Sequence, residues 1–268
     1  MSPASAQEAT TAIEVYKVVG MDTLRLHVFY PPSDTSSSRA PAIVFFFGGG
    51  WVNGSPEQFF PHARYFASRG MVAISAEYRI KSRHGTTPFE SVEDGKSAIR
   101  WVRAHAGELG VDPERIVAAG GSAGGQVAAA AGMLDAFDAA GEDLHMSSRP
   151  QALVLFNPVI DNGPEGYGYE RIGDRYTAFS PLHNVDAQSP PTVLFLGTAD
   201  ALIPVATATR FEALMEGAGV RCDVHLYDEQ PHGFFNYRDG DNPYYYHTVR
   251  EADLFLKSLG YLAGEPTL

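Results

Sequence analysis

Gly120-Gly121-Ser122-Ala123-Gly124-Gly125 stands between an apolar run, Arg115–Ala119 (RIVAA), and an Ala-rich segment, Ala123–Leu134. Gly120, Ser122 and Gly124 form G-x-S-x-G between a predicted strand and a predicted helix. That context marks a serine on a sharp, strained strand-to-helix turn. Side chains two residues either side would collide with the turn, so small residues are needed there. The helix that follows aims its free N–H groups at the serine. A plain glycine-rich turn or a phosphate loop is the competing reading, but the chain has no GxxxxGK[ST].

Outward from this turn, short apolar runs alternate with helix-like segments. Residues 13–30 alternate apolar and polar around Gly20-Met21-Asp22, which predicts two antiparallel strands and a turn. Strands are expected at 42–47, 71–78, 115–119, 152–156, 192–196 and 224–227. Helices are expected at 59–69, 89–106, 123–134, 205–218 and 244–259. This alternation predicts a mostly parallel sheet with helices on both faces. We expect a flexible segment at 1–12 and a single α/β domain at 13–268.

A second glycine run, Phe47-Gly48-Gly49-Gly50-Trp51, directly follows the strand AIVFFF. Glycines let backbone N–H groups turn toward a ligand, and such amides can stabilise an oxyanion. Together the two motifs resemble the hormone-sensitive-lipase-like branch of the α/β-hydrolases, which includes small bacterial acetyl and carbohydrate esterases. The resemblance covers roughly residues 40–260. That family carries an H-G-G-G loop, a G-x-S-A-G-G turn, an acid in a D-x-x-x-P-like segment and a histidine before glycine. It implies an α/β-hydrolase fold with oxyanion donors on the N–H groups of Gly49, Gly50 and Ala123. Two positions depart from it. Phe47 replaces the loop histidine, which bears on loop rigidity and not on the triad. Gln126 stands where related esterases often have histidine.

The order in this fold is serine, acid, histidine. Asp200 follows the strand TVLFL, at the strand end where ligand-facing residues gather. Asp223 lies at the wrong end of the last strand, and Asp228 and Glu229 crowd the histidine. His232 follows the last strand in Pro231-His232-Gly233. His225 and His247 fall inside a strand and a helix, and His183 precedes the acid. The expected catalytic residues are therefore Ser122 as nucleophile, His232 as base and Asp200 as acid. This chemistry needs no metal and no organic cofactor.

The composition narrows the partners. Of 268 residues, 44% are hydrophobic and 19% charged, enough for one sizeable core. Asp and Glu outnumber Lys and Arg 32 to 20, for a net charge of -12. Nucleic acid, which needs clustered Lys and Arg, is set aside. The single cysteine, Cys222, excludes a disulfide within the chain. No run approaches the roughly 18 apolar residues of a membrane span. A cytoplasmic location and export with the signal peptide removed both fit. The apolar face of 244–259 serves equally a core or a homodimer.

The chain leaves little length for a cap. Residues 163–179, rich in Gly and Tyr, are expected to overhang the site as a partial lid. Trp51, Tyr167, Tyr169 and Phe234 are the expected aromatic contacts. The expected reaction is hydrolysis of short-chain acyl esters, of a small molecule or an oligosaccharide bearing acetyl or feruloyl groups. A prolyl-oligopeptidase-like peptidase and a non-catalytic binding protein on the same fold are the alternatives. The first lacks room for a propeller and a clear glutamate pair. The second is opposed by the presence of all three triad residues.

Overall fold

A computed structural model describes residues 11–32, 39–238 and 242–268. Eight strands form one sheet: β1 (Thr11–Val19), β2 (Asp22–Phe29), β3 (Ala40–Phe46), β4 (Val72–Ala76), β5 (Val111–Gly121), β6 (Ala152–Phe156), β7 (Thr192–Gly197) and β8 (Cys222–Tyr227). Their order is β1-β2-β4-β3-β5-β6-β7-β8. The first hairpin and the β2–β4 pair are antiparallel, and all other pairs are parallel. With the helices below, this is the α/β-hydrolase fold.

Burial follows this topology. Strands β4, β6 and β7 are buried at every residue, as a parallel sheet covered on both faces requires. Edge strand β1 instead is exposed or half-buried at every residue but Tyr16. Five longer helices accompany the sheet: α1 (Phe60–Ser68), α2 (Pro88–Ala104), α3 (Ala123–Met133), α4 (Val205–Gly217) and α5 (Pro243–Ser258). Helix α2 starts where the sequence supplies start signals. Pro88 occupies its first turn, and the Thr87 N–H donates to the Glu90 carboxylate at 2.8 Å. Helix α3 is buried along its whole length, which explains its run of Ala and Gly. None of the helices among the described residues is long and apolar enough to cross a membrane.

Several boundaries differ from the sequence reading. Thr11 and Ala12 belong to β1, so the flexible segment expected at 1–12 does not extend over them; residues 1–10 lie outside the described residues. Strand β5 starts at Val111, well before the expected Arg115. Its ladder with β3 shifts between Ala40 and Ala42, and Pro113 falls in that irregularity, outside the paired positions. Residues 163–179 contain two single-turn helices, Tyr169–Ile172 and Tyr176–Phe179. Left-handed Gly168 opens the first and Gly173 ends it.

The sheet order sets up the site. Strand β3 lies between β4 and β5, and Phe46 pairs with Gly120. The segments leaving the C-terminal ends of β3 and β5 therefore emerge side by side, at a place where the strand order reverses.

Candidate active site

The turn after β5 is built for close approach. Ser122 has φ 54° and ψ −120°, a conformation that non-glycine residues rarely adopt. The surrounding backbone holds it there. The Ser122 N–H donates to the Phe156 carbonyl at 3.0 Å. The Ser122 carbonyl accepts from Val159 at 3.0 Å and from Gln126 at 3.1 Å. Strained, fixed residues of this kind cluster at functional sites.

His232 comes from the loop after β8. Its Nε2 lies 2.9 Å from Ser122 Oγ and its Nδ1 lies 2.7 Å from Asp200 Oδ2. Asp200 follows β7, and its other oxygen accepts from the N–H groups of Leu202 (2.8 Å) and Ile203 (3.0 Å). Burial alone would raise the Asp200 carboxyl. The hydrogen bonds from His232, Leu202 and Ile203 outweigh that and hold it below its usual value. Among the rivals, Asp223 pairs with Arg221 and Asp228 reaches Thr198 at 3.2 Å; neither meets His232.

The glycine run after β3 lies against this turn. Gly49 has φ 124° and bends so sharply that a Cβ there would fall 2.2 Å from the Asn53 carbonyl oxygen. The amides of Gly49, Gly50 and Ala123 have no protein acceptor among the described residues. Ala123 is the first residue of α3, where such free amides are expected.

Three comparisons bear on this geometry. A family profile described as BD-FAE matches residues 26–165, and one of the dienelactone hydrolase family matches residues 158–263. Carboxylesterase NlhH of Mycobacterium tuberculosis is 30% identical over 242 residues, spanning 81% of this chain and 73% of its own. Esterase 2 of Thermogutta terrifontis, phosphoramylated by tabun, superposes with a TM-score of 0.90 at 48% identity, over 95% of this chain and 97% of that one. The chain belongs to the α/β-hydrolase esterases. It is a carboxylic ester hydrolase. A further Thermogutta terrifontis esterase structure, with propionate bound, matches at TM-score 0.89 and 46% identity over 98% of each chain.

In this esterase the cleft above Ser122 has a volume of about 220 Å³. Tyr167 lines it, from the segment expected as a partial lid. The other three expected contacts sit elsewhere. Trp51 is buried, with its ring N–H 3.3 Å from Gln126 Oε1. It ties the glycine loop to α3 and lines an adjoining cleft of about 270 Å³ rather than the one above Ser122. Phe234 is buried against Tyr227 and Tyr244. Tyr169 packs on Tyr176 and reaches Asp174 at 3.3 Å. Phe235, one residue further along, lines the cleft instead.

Both departures from the family pattern have structural partners. Phe47 stacks on Tyr78 (ring centroids 4.1 Å apart, planes at 16°), and Tyr78 Oη donates to the Phe47 carbonyl at 2.5 Å. Gln126 is buried, accepts from Trp51 and donates to the Phe179 carbonyl at 3.2 Å. Sequence reading missed Gln58, Asn157 and Asn236, all of which line the cleft. Side-chain amides carry no motif, and no signal in the sequence would have found them.

Proposed function

We propose that this esterase hydrolyses short-chain acyl esters through an acyl-enzyme on Ser122. His232 takes the Ser122 proton as Oγ attacks the ester carbonyl carbon, and then gives that proton to the leaving alcohol. Asp200 holds the imidazole with Nε2 toward the serine and stabilises its charged form. The amides of Gly49, Gly50 and Ala123 receive the oxyanion. Water, activated by His232, attacks the acyl-enzyme and frees the acid. The observation that carries this reading is the continuous contact Asp200–His232–Ser122, at 2.7 and 2.9 Å, beside amides with no protein acceptor among the described residues. The phosphoramylation of the Thermogutta enzyme by tabun supports a nucleophile of this kind.

The short acyl group is supported by the size of the cleft. At about 220 Å³ it is smaller than pockets for drug-sized ligands, which span roughly 300–1,000 Å³. The propionate held by the Thermogutta relative agrees with that size. The test is turnover of p-nitrophenyl acetate, butyrate and octanoate by wild type and by Ser122→Ala. Acetate or butyrate turnover that exceeds octanoate and vanishes in the variant supports the proposal. Octanoate preference overturns the chain-length reading. Acetylated xylan and feruloyl esters then probe a carbohydrate alcohol.

A further inference from the structure

We propose that Gln58 and Asn236 are positioning residues for ester hydrolysis. They carry a chain of amide hydrogen bonds that locks the glycine loop to the loop bearing His232. The proposal rests on the reading of Ser122, His232 and Asp200 given above.

Three bonds run in one sense, from Gly48 through the side-chain amides of Gln58 and Asn236 to the Gly233 carbonyl, and a fourth holds the adjoining His232–Gly233 peptide. The Gly48 N–H donates to Gln58 Oε1 at 2.6 Å. Gln58 Nε2 donates to Asn236 Oδ1 at 2.8 Å. Asn236 Nδ2 donates to the Gly233 carbonyl at 2.9 Å. The Gly233 N–H donates to Asn157 Oδ1 at 2.9 Å. Asn157 Nδ2 then lies 3.4 Å from His232 Nε2. Gln58 and Asn236 each give with the side-chain nitrogen and receive with the side-chain oxygen, so reversing either one breaks two bonds at once. Aligned amides of this kind polarise and strengthen one another.

The ends of the chain are where position matters for the reaction. The Phe47–Gly48 peptide directly precedes the amides of Gly49 and Gly50. Tyr78 holds its carbonyl and Gln58 holds its N–H, one on each side. The Gly50 N–H shares a peptide with the Gly49 carbonyl, which accepts from Val52 at 3.1 Å and Asn53 at 3.0 Å, so the Phe47–Gly48 peptide bears on the Gly49 N–H, one peptide along. At the other end, Gly233 adjoins His232. Gln58 itself comes from a separate element, the turn Pro56–Phe59 ahead of α1. Neither Gln58 nor Asn236 bonds to Ser122 or His232, so both act through the backbone they hold.

The experiment measures kcat and KM for p-nitrophenyl acetate in wild type, Gln58→Ala, Asn236→Ala, the double variant and Ser122→Ala, with thermal melting of each. Displacing a reacting group by about 1 Å can lower a rate about 100-fold. We expect each single variant to lose about 10- to 100-fold in kcat, with KM changed less than about threefold. The double variant should fall within about threefold of the worse single one, because either change breaks the same chain. Gln58→Glu gives a reading that survives a folding defect in the alanine variants. It keeps the acceptor for Gly48 but sets a carboxylate oxygen against Asn236 Oδ1. Its kcat relative to wild type should rise from pH 8 to pH 5, as the glutamate gains a proton it can donate.

Single variants with wild-type kcat, additive losses in the double variant, or a pH-independent Gln58→Glu ratio overturn the proposal alone. Turnover that survives in Ser122→Ala overturns the underlying reading, and this proposal with it.

Discussion

Gly124 lies so close to the end of β3 that a Cβ on it would sit 2.1 Å from the carbonyl oxygen of Phe46. The obstacle is backbone and cannot rotate away. A Cβ on Gly120 would likewise meet the Gly124 carbonyl oxygen at 2.3 Å. These two contacts are the physical content of G-x-S-x-G in this chain. Helix α3 can begin directly beneath the glycine loop only if both positions lack a side chain. Gly124→Ala should therefore lower stability by about 1–3 kcal/mol or more and shift Ser122 away from His232. Denaturant unfolding together with kcat on p-nitrophenyl acetate checks it. Wild-type values for both would contradict the steric account.

Asp200 makes a different prediction. Asp200→Asn keeps the shape of the group but can present an N–H to His232 Nδ1, which favours the wrong tautomer. A loss of about 10⁴-fold in kcat is expected, as for the equivalent change in a serine protease triad. The stability effect has a pH signature. The folded carboxyl is held below its ordinary value of 3.8, so its contribution is fully present above that value and is lost as pH falls through the folded one. The stability gap between wild type and Asp200→Asn should be smaller at pH 3 than at pH 5, as the carboxylate gains its proton. Unfolding free energies at pH 7, 5 and 3 test this, and a gap unchanged at pH 3 would count against it.

His62 has the opposite kind of environment. It is buried within a cage of Phe45, Phe59, Phe156, Phe235 and Tyr245. Neither ring nitrogen has a hydrogen-bond partner among the described residues. Burial lowers its pKa from 6.5 to about 3. Between those values the unfolded chain binds a proton that the folded chain refuses, so wild-type stability falls as pH drops below 6.5. His62→Phe removes this loss. Relative to wild type, the variant should gain about 2 kcal/mol more at pH 5 than at pH 7. Parallel stability profiles for the two proteins would contradict the assignment.

What the sequence discloses and what it hides divide along physical lines. The sheet is legible because buried parallel strands read as continuous apolar runs, as in Ala152–Phe156 and Thr192–Gly197. Ser122, Asp200 and His232 are legible because each sits just past a strand end, in an order the fold fixes. Aromatic residues near a motif are not legible in the same way. Trp51 adjoins Gly50 in sequence, yet a left-handed backbone (φ 59°) directs it into the core. Phe234 and Phe235 are neighbours, and only the conformation of the turn decides which faces the cleft. The bond from Gln58 to Asn236 joins residues 178 positions apart and leaves no trace in local pattern.

The most direct test of the central claim is to treat the esterase with diethyl p-nitrophenyl phosphate, measure intact mass and map the modified peptide. One diethylphosphoryl group per chain is expected, located on Ser122, formed as esterase activity disappears and absent from Ser122→Ala. Loss of activity with the label on another residue, or equal labelling of Ser122→Ala, would contradict Ser122 as the nucleophile.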